Sequence, residues 1–412
     1  MTIGSPRLHH AFRVASASLV FLASSVATSA QDAPEWSGRL SVEVRGFLVA
    51  PDESGQPRML VSPWLQPEYY RAWRTQSLLV VPFVRFDPSD PERTHGDIRE
   101  LLWRMVHDTW ELRAGIGKMF WGVTESQHLV DIINQTDVVE NGDGEDKLGQ
   151  PMVSVSLIRR WGHLDLFVLP GFRERTFPGE KGRLRFPLRV ARELTQYTSS
   201  AGTVHVDGAV RWSHVLGGWD LGLSHFRGTG REPQLLFGTT NEGESVLIPR
   251  YVVINQTALD VQTTTGGWLW KLELISRGGQ GDRFAGGKRF NALTGGFEYT
   301  FANVRGSGRD VGVLAEYLFD DRGRLATTPF EDDMFVGARL ELNDVQTTRL
   351  LAGAIVDRRT GATFVSLESG RRLGNRWTMN LETRLFLGLQ GDDYLFGFRN
   401  DDYAQLELSW FF

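Results

Sequence analysis

The sequence contains no cysteine, which removes disulfide scaffolds and thiolate metal sites from consideration. It contains no uninterrupted apolar run of about 18 residues, so no helical membrane span is encoded. It also lacks an excess of positive charge. Lys and Arg total 45 against 50 Asp and Glu, a net charge of −5, which argues against nucleic acid as a partner. Familiar catalytic patterns are missing too: there is no G-x-S-x-G and no H-E-x-x-H.

What is present is a two-residue period. In "GRLSVEVRGFL", Leu40, Val42 and Val44 fall on one face, and Arg39, Ser41, Glu43 and Arg45 on the other. "WLWKLELI" sets Trp268, Trp270, Leu272 and Leu274 against Lys271 and Glu273. "WTMNLETRLFL" sets Trp377, Met379, Leu381, Leu385 and Leu387 against Asn380, Glu382 and Arg384. Each stretch reads as a strand with one apolar and one ionic face.

The N-terminus has a different character. Arg7 and Arg13 flank the start of a short apolar run, Val14 to Val26, and "ATSA" ends at Ala30. This pattern predicts a signal peptide over residues 1–30, too short for a spanning helix. The remainder, 31–412, reads as one domain. The expected strands are 38–50, 65–74, 76–86, 97–106, 109–118, 152–159, 163–170, 204–214 and 219–226. They continue as 251–263, 267–276, 291–302, 310–319, 333–342, 347–356, 361–370, 376–388 and 403–412.

Short turns alternate with long polar loops between these strands, as in an up-and-down barrel threaded through an outer membrane. Only the 357–360 connection is short where a long one is due. Trp110, Trp161, Trp212, Trp219, Trp268, Trp377 and Trp410 cluster near the short turns or the terminus, as an interfacial girdle would. The fold class that follows is all-β: a transmembrane antiparallel up-and-down β-barrel of about 18 strands, with 16 as the alternative if neighbouring segments merge.

The chain closes with "YAQLELSWFF". Ala404, Leu406, Leu408, Trp410 and Phe412 would face lipid, and Tyr403, Gln405, Glu407 and Ser409 the lumen. In this the chain resembles the outer-membrane porins of Gram-negative bacteria. That resemblance implies Phe412 and Trp410 as the signal read by the barrel assembly machinery. It also implies outer-membrane lipid and lipopolysaccharide as surroundings, with a homo-oligomer left open.

The segment 115–152 carries Gly117, Trp121, Gly122, Asn134 and Asp137 in a skeleton that looks like part of the alginate-export-type and related porin-like families. In such proteins the third loop folds inward, which implies Asp131, Asp137, Glu140, Asp143, Glu145 and Asp146 as the narrow zone of a pore. The residues agree. A barrel of about 16–18 strands leaves an aqueous channel unless something obstructs it. "HLVDII" is apolar enough to anchor a short helix against the inner wall, with an acidic run following near 119–151. The alternative is an external loop with solvated acids.

The 171–193 stretch is the opposite pole, with Arg173, Arg175, Lys181, Arg183 and Arg185 close together. Such a cluster can create a transverse field across a lumen or hold carboxylate and phosphate groups. It can equally contact lipopolysaccharide or pair with the acids of 140–146. Arg45, Arg113, Arg211, Lys271, Arg339 and Arg384 fall on the lumen wall, where lateral pairing with neighbouring acids is expected.

No apolar lumen patch is evident, so the solutes implied are small and hydrophilic. His205, Asp207 and Ser213 superficially suggest an acyl-transfer set, but their register points inward rather than to lipid. "NGDGED" and the paired aspartates lack the full calcium loop. No catalytic residue, metal or cofactor is assigned. The reading is a passive or selective channel for small hydrophilic solutes, with an outer-membrane-embedded hydrolase or a soluble glycan-binding β-protein as rivals.

Overall fold

The computed structural model describes residues 33–283 and 287–412. The expected signal peptide lies outside the described residues. From Glu35 onward the chain forms one 18-stranded sheet that closes on itself. The first strand, Glu35–Phe47, pairs antiparallel with both Met59–Trp73 and the last strand, Tyr403–Phe411. Every expected strand has its counterpart, within three residues at each end except that the expected 65–74 starts at Met59. The 16-strand alternative is excluded: Met59–Trp73 and Gln76–Arg85 are separate strands joined at Arg74, which takes a left-handed φ of 53° in the tight turn.

Register follows the period. On the first strand Leu40 and Val42 are 42% and 43% exposed, while Ser41 and Glu43, alternating with them, are 1% and 3% exposed. The apolar face therefore points away from the protein and the ionic face into it. Exposed leucines in water would be costly at about 25 cal/mol per Å² of apolar surface; against hydrocarbon they cost nothing. Leu381, Leu406 and Leu408 are exposed in the same way. Closure removes the sheet edges that a membrane cannot satisfy. Trp161, Trp219, Trp268 and Trp377 stand exposed near the short-turn rim.

One strand breaks the alternation. Pro82 lies inside Gln76–Arg85, where it has no N–H for the ladder, and the register shifts between Val81 and Pro82. Val81 pairs with Glu100 and Pro82 with Ile98, so Arg99 is the extra residue of a bulge in His95–His107.

Two sequence expectations are corrected. "HLVDII" forms no helix; 118–149 is held by turns and by isolated bridges such as Thr136 to Lys147. The loops 171–205 and 230–252 are not wholly irregular either. They contribute Gln196–Tyr197, Gln234–Thr239 and Ser245–Tyr251 to a second, three-stranded sheet, in which Val246 and Leu247 are buried.

Candidate functional site

The inward faces of the wall converge on the segment 118–149, which contacts them in three ways. The first contact is apolar. Trp121, Val130, Ile132 and Ile133 are buried in one cluster with wall residues that include Met152, Phe167, Phe226, Ile254 and Ile275. An inward apolar patch therefore exists, contrary to the sequence reading. Its residues sit on several strands and become contiguous only when the barrel closes, and 118–149 covers it.

The second contact is polar. Glu273, fully buried on Trp268–Gly278, accepts hydrogen bonds from the backbone N–H groups of Val123 (2.7 Å), Thr124 (3.1 Å) and Val130 (3.1 Å). Glu316, on Asp310–Asp320, accepts from the N–H groups of Glu125 and Ser126, both at 2.8 Å. The wall carboxylates thus satisfy backbone donors that no secondary structure pairs, and Glu125 turns back to Arg339 (2.8 Å) and Lys271 (3.6 Å).

The third contact is a buried ionic network. Arg85 bridges Glu43 of the first strand (3.0 Å) and Glu140 of the segment (2.7 Å). Arg93 pairs with Glu43 at 2.8 Å and with Asp87 at 3.1 Å. The bulge residue Arg99 reaches Asp137 at 2.5 Å, and Thr176 donates its hydroxyl to the same carboxylate. Where the segment rejoins the wall, Gly149 is needed for space: a Cβ there would lie 2.3 Å from the Arg99 carbonyl oxygen.

The six acids expected at the narrow zone divide into two groups. Asp131, Asp137 and Glu140 are neutralised inside by Lys147, Arg99 and Arg85. Asp143, Glu145 and Asp146 remain at the solvent-touched edge of the segment. Asp143 faces Arg384 at 3.2 Å, and Glu145 faces His128 at 3.2 Å. Loss of hydration against the surrounding wall, then the charge of Glu382, pushes the Asp143 carboxyl up to about 7 against the pull of Arg384. The same loss of hydration, then Glu140, pushes Asp146 up to about 6. Burial pulls the His128 imidazolium down, but Glu145, Glu273 and Asp131 outweigh it and raise it to about 9.

The basic stretch does not pool its charge. Arg173 pairs with Asp97 (2.9 Å), Arg183 with Asp401 (2.5 Å) and Arg185 with Glu53. Arg175 donates to the Arg231 carbonyl at 3.0 Å, and Lys181 is exposed. Wall cations are of two kinds. Arg45 donates to Gln405 (2.6 Å), Arg113 pairs with Glu111, and Arg211 grips Asp260 with both terminal nitrogens (2.6 and 2.8 Å). Lys271, Arg339 and Arg384 pair with the inward segment as well as with the wall.

Sequence reading missed Arg85, Arg93, Arg99 and Glu316. Arg93 lies in a connection and Arg99 in a bulge, where alternation gives no face. Pro82 was the available signal for the bulge.

His95, Asp137 and Glu140 offer nitrogen and oxygen ligands within 4.8 Å of one another. Both carboxylates are already engaged by arginine, and a divalent cation there would face Arg85 and Arg99; the set does not fit a metal. His205 Nδ1 lies 2.7 Å from Asp207, but Asp207 also accepts from Arg231 (2.8 Å) and the Thr229 N–H (2.9 Å). Ser213 pairs across the ladder with His163, far along the strand from Asp207.

The terminal residues behave as a closing strand requires. Phe412 exchanges both backbone hydrogen bonds with Gly38 at 3.1 Å, and its ring lies 5.2 Å from that of Trp410.

No family model matches the chain, and no curated protein matches it. Solved structures do. OpdK of Pseudomonas aeruginosa, an outer membrane protein, is similar with 10% identity over 93% of this chain and 99% of its own, at a TM-score of 0.54. A BenF-like porin from Pseudomonas fluorescens Pf-5 gives 10% identity over 92% and 97%, at 0.53. Wzi of Escherichia coli, an outer membrane protein of group 1 capsule assembly described as a carbohydrate-binding β-barrel, gives 10% over 90% and 83%, at 0.51. At this identity the shared property is the fold. The class it defines is the outer-membrane porin-like β-barrel. The apolar outer face and closed 18-strand wall point to the bacterial outer membrane.

Proposed function

We propose that the protein is an outer-membrane channel for small hydrophilic solutes, with 118–149 forming its constriction and Asp143, Glu145 and Asp146 lining the remaining passage. The observation that carries this is the anchoring of the segment. Carboxylates on separated strands, Glu273 and Glu316, hold its backbone, while its acidic tip stays in contact with solvent. A packed segment with a solvated charged tip narrows a bore without filling it, and fixed acids there favour cations and polar solutes.

Export through the 1–30 leader and assembly through the Phe412 strand belong to the same reading. The reading is non-enzymatic. It is supported by the buried ion pair of Asp207 with Arg231, which occupies the carboxylate that a set built on His205 would need.

Planar-bilayer recording on the purified, refolded chain tests it. Discrete conductance with a cation-favouring reversal potential is expected, and neutralising Asp143, Glu145 and Asp146 together should shift that potential toward anions. Absence of conductance from correctly folded protein would overturn the channel. An unchanged potential would remove these acids from the passage.

A further inference from the structure

The outer wall is not uniform at the long-loop rim. Beside the first strand and along Met59–Trp73, Gln76–Arg85 and Gly162–Pro170, outward positions stay apolar to that rim. Leu48, Met59, Val84, Phe86 and Val168 are all exposed there. Between Trp219–Thr229 and Phe290–Phe301 the apolar wall stops short. The ladder aligns Leu223, Leu259, Leu274 and Leu293 in one row. Two residues nearer the rim it aligns His225, Thr257, Ser276 and Asn291. One step beyond, Arg227 stands opposite Asn255.

Arg289 joins this patch from the adjoining loop. It donates to Asn255 Oδ1 at 2.5 Å and to Ser276 Oγ at 3.0 Å. Arg227, Lys288 and Arg289 are exposed, and among the described residues no carboxylate pairs with any of them. Of the two acids beside this patch, Asp282 and Asp321, Asp321 accepts from the backbone and side-chain N–H groups of Asn291, both at 2.9 Å. A groove of about 320 Å³ runs beside Asp282, Lys288, Arg289, Asp321 and Arg322. Arg358, at the same rim, is by contrast neutralised by Asp332 at 2.7 Å.

Unpaired cations above hydroxyl and amide groups, above a row of leucines, match one kind of molecule. Guanidinium groups bind phosphate in a planar fork. Hydroxyl and amide side chains bind sugar hydroxyls, and leucines bind acyl chains. We propose that this face binds the phosphorylated, acylated saccharide of the outer leaflet, phosphate on Arg227 and Arg289 and acyl chains on the leucine row. The proposal rests on the outer-membrane reading but not on conduction.

The test uses the full refolded chain in neutral detergent. The probes are a diphosphorylated, acylated glucosamine disaccharide, its dephosphorylated form and inorganic phosphate. The phosphorylated lipid should bind at least about tenfold tighter than the dephosphorylated one, and R227Q/R289Q should lose about that factor. R358Q should lose nothing, and inorganic phosphate should not compete. Equal affinity for the two lipids, an unaffected double variant or an equal loss in R358Q would overturn the site. Competition by inorganic phosphate would assign it to free anions instead. A concentration-dependent dimer lost in R227Q/R289Q would assign the face to a second copy, and overturn the proposal equally. Heat-modifiable migration and conductance of the double variant report folding. Failed lipid binding with normal conductance sinks this site alone, whereas a barrel stable without amphiphile sinks the outer-membrane reading beneath it.

Discussion

Thr124 reaches one carboxylate oxygen of Glu273 twice, through its backbone N–H at 3.1 Å and its hydroxyl at 2.8 Å. The same oxygen accepts from the Val123 N–H. A wall carboxylate thus satisfies the backbone donors of a segment that has no ladder or helix of its own. Glu273→Ala would strand several buried N–H groups, each worth about 1–3 kcal/mol. The expected outcome is a loosened 118–149 segment, seen as noisier conductance and faster proteolysis there, with Glu273→Gln intermediate. Unchanged proteolysis would mean that the apolar contacts alone hold the segment.

Arg85 and Glu140 form a buried ionic link between wall and segment. Arg85→Met removes the shared cation of Glu43 and Glu140 from a buried site, leaving Glu43 with Arg93 and Arg45 and Glu140 with the longer contacts to His95 and Arg99. Removing one partner of such a pair costs about 3–5 kcal/mol. The paired change Arg85→Met with Glu140→Leu should recover much of that loss. Urea unfolding of the folded barrel measures both. A single variant as stable as the parent would show that water reaches this network.

Leu381 and Asn380 are neighbours on Trp377–Leu387 that face opposite ways, Leu381 outward and 39% exposed. Arginine at Leu381 should cost about 2–4 kcal/mol if the site lies at mid-membrane, and arginine at Asn380 little. Folding titrations in lipid vesicles give both values. Equal penalties would invert the register.

Asp143 and Asp146 set a pH dependence. Both carboxyls titrate above the usual carboxylate range, at about 7 and about 6. The folded state therefore prefers them protonated. The stability they contribute is complete below the ordinary aspartate value of about 4 and is lost as pH rises through 6 and 7. Charge at the passage grows over the same interval. Asp143 faces Glu382, Arg384, Asp146 and Glu145; Asp146 faces Glu140, Arg99, Lys118 and Asp137. Cation preference should accordingly rise between pH 5 and 8, measured by reversal potential. Asp143→Asn with Asp146→Asn should flatten the profile, and a flat profile in the parent would place these acids outside the current path.

The strands were legible because lipid and lumen impose opposite chemistry on alternate residues. Leu40 against Glu43, or Leu381 against Asn380, can be sorted without coordinates. The acids of 131–146 were legible as a group but not in their division. Whether Asp137 is neutralised depends on Arg99, and Arg99 faces inward only because Pro82 breaks the ladder. The basic stretch 171–193 read as one charged patch because proximity in sequence is visible. Its partners, Asp97, Glu53 and Asp401, lie on three distant parts of the chain.

Sequence alone placed the barrel strands and the side of each that meets hydrocarbon, since a local two-residue period encodes both; the choice of 18 strands over 16 and the bulge at Arg99 came from the ladder itself. Tertiary structure decided what occupies the bore. Closure brings Glu273, Glu316 and Arg85 around one segment, and only then do its amides and acids find partners other than themselves or water. Those contacts join residues more than 100 positions apart in most cases, and no local pattern carries information over that distance.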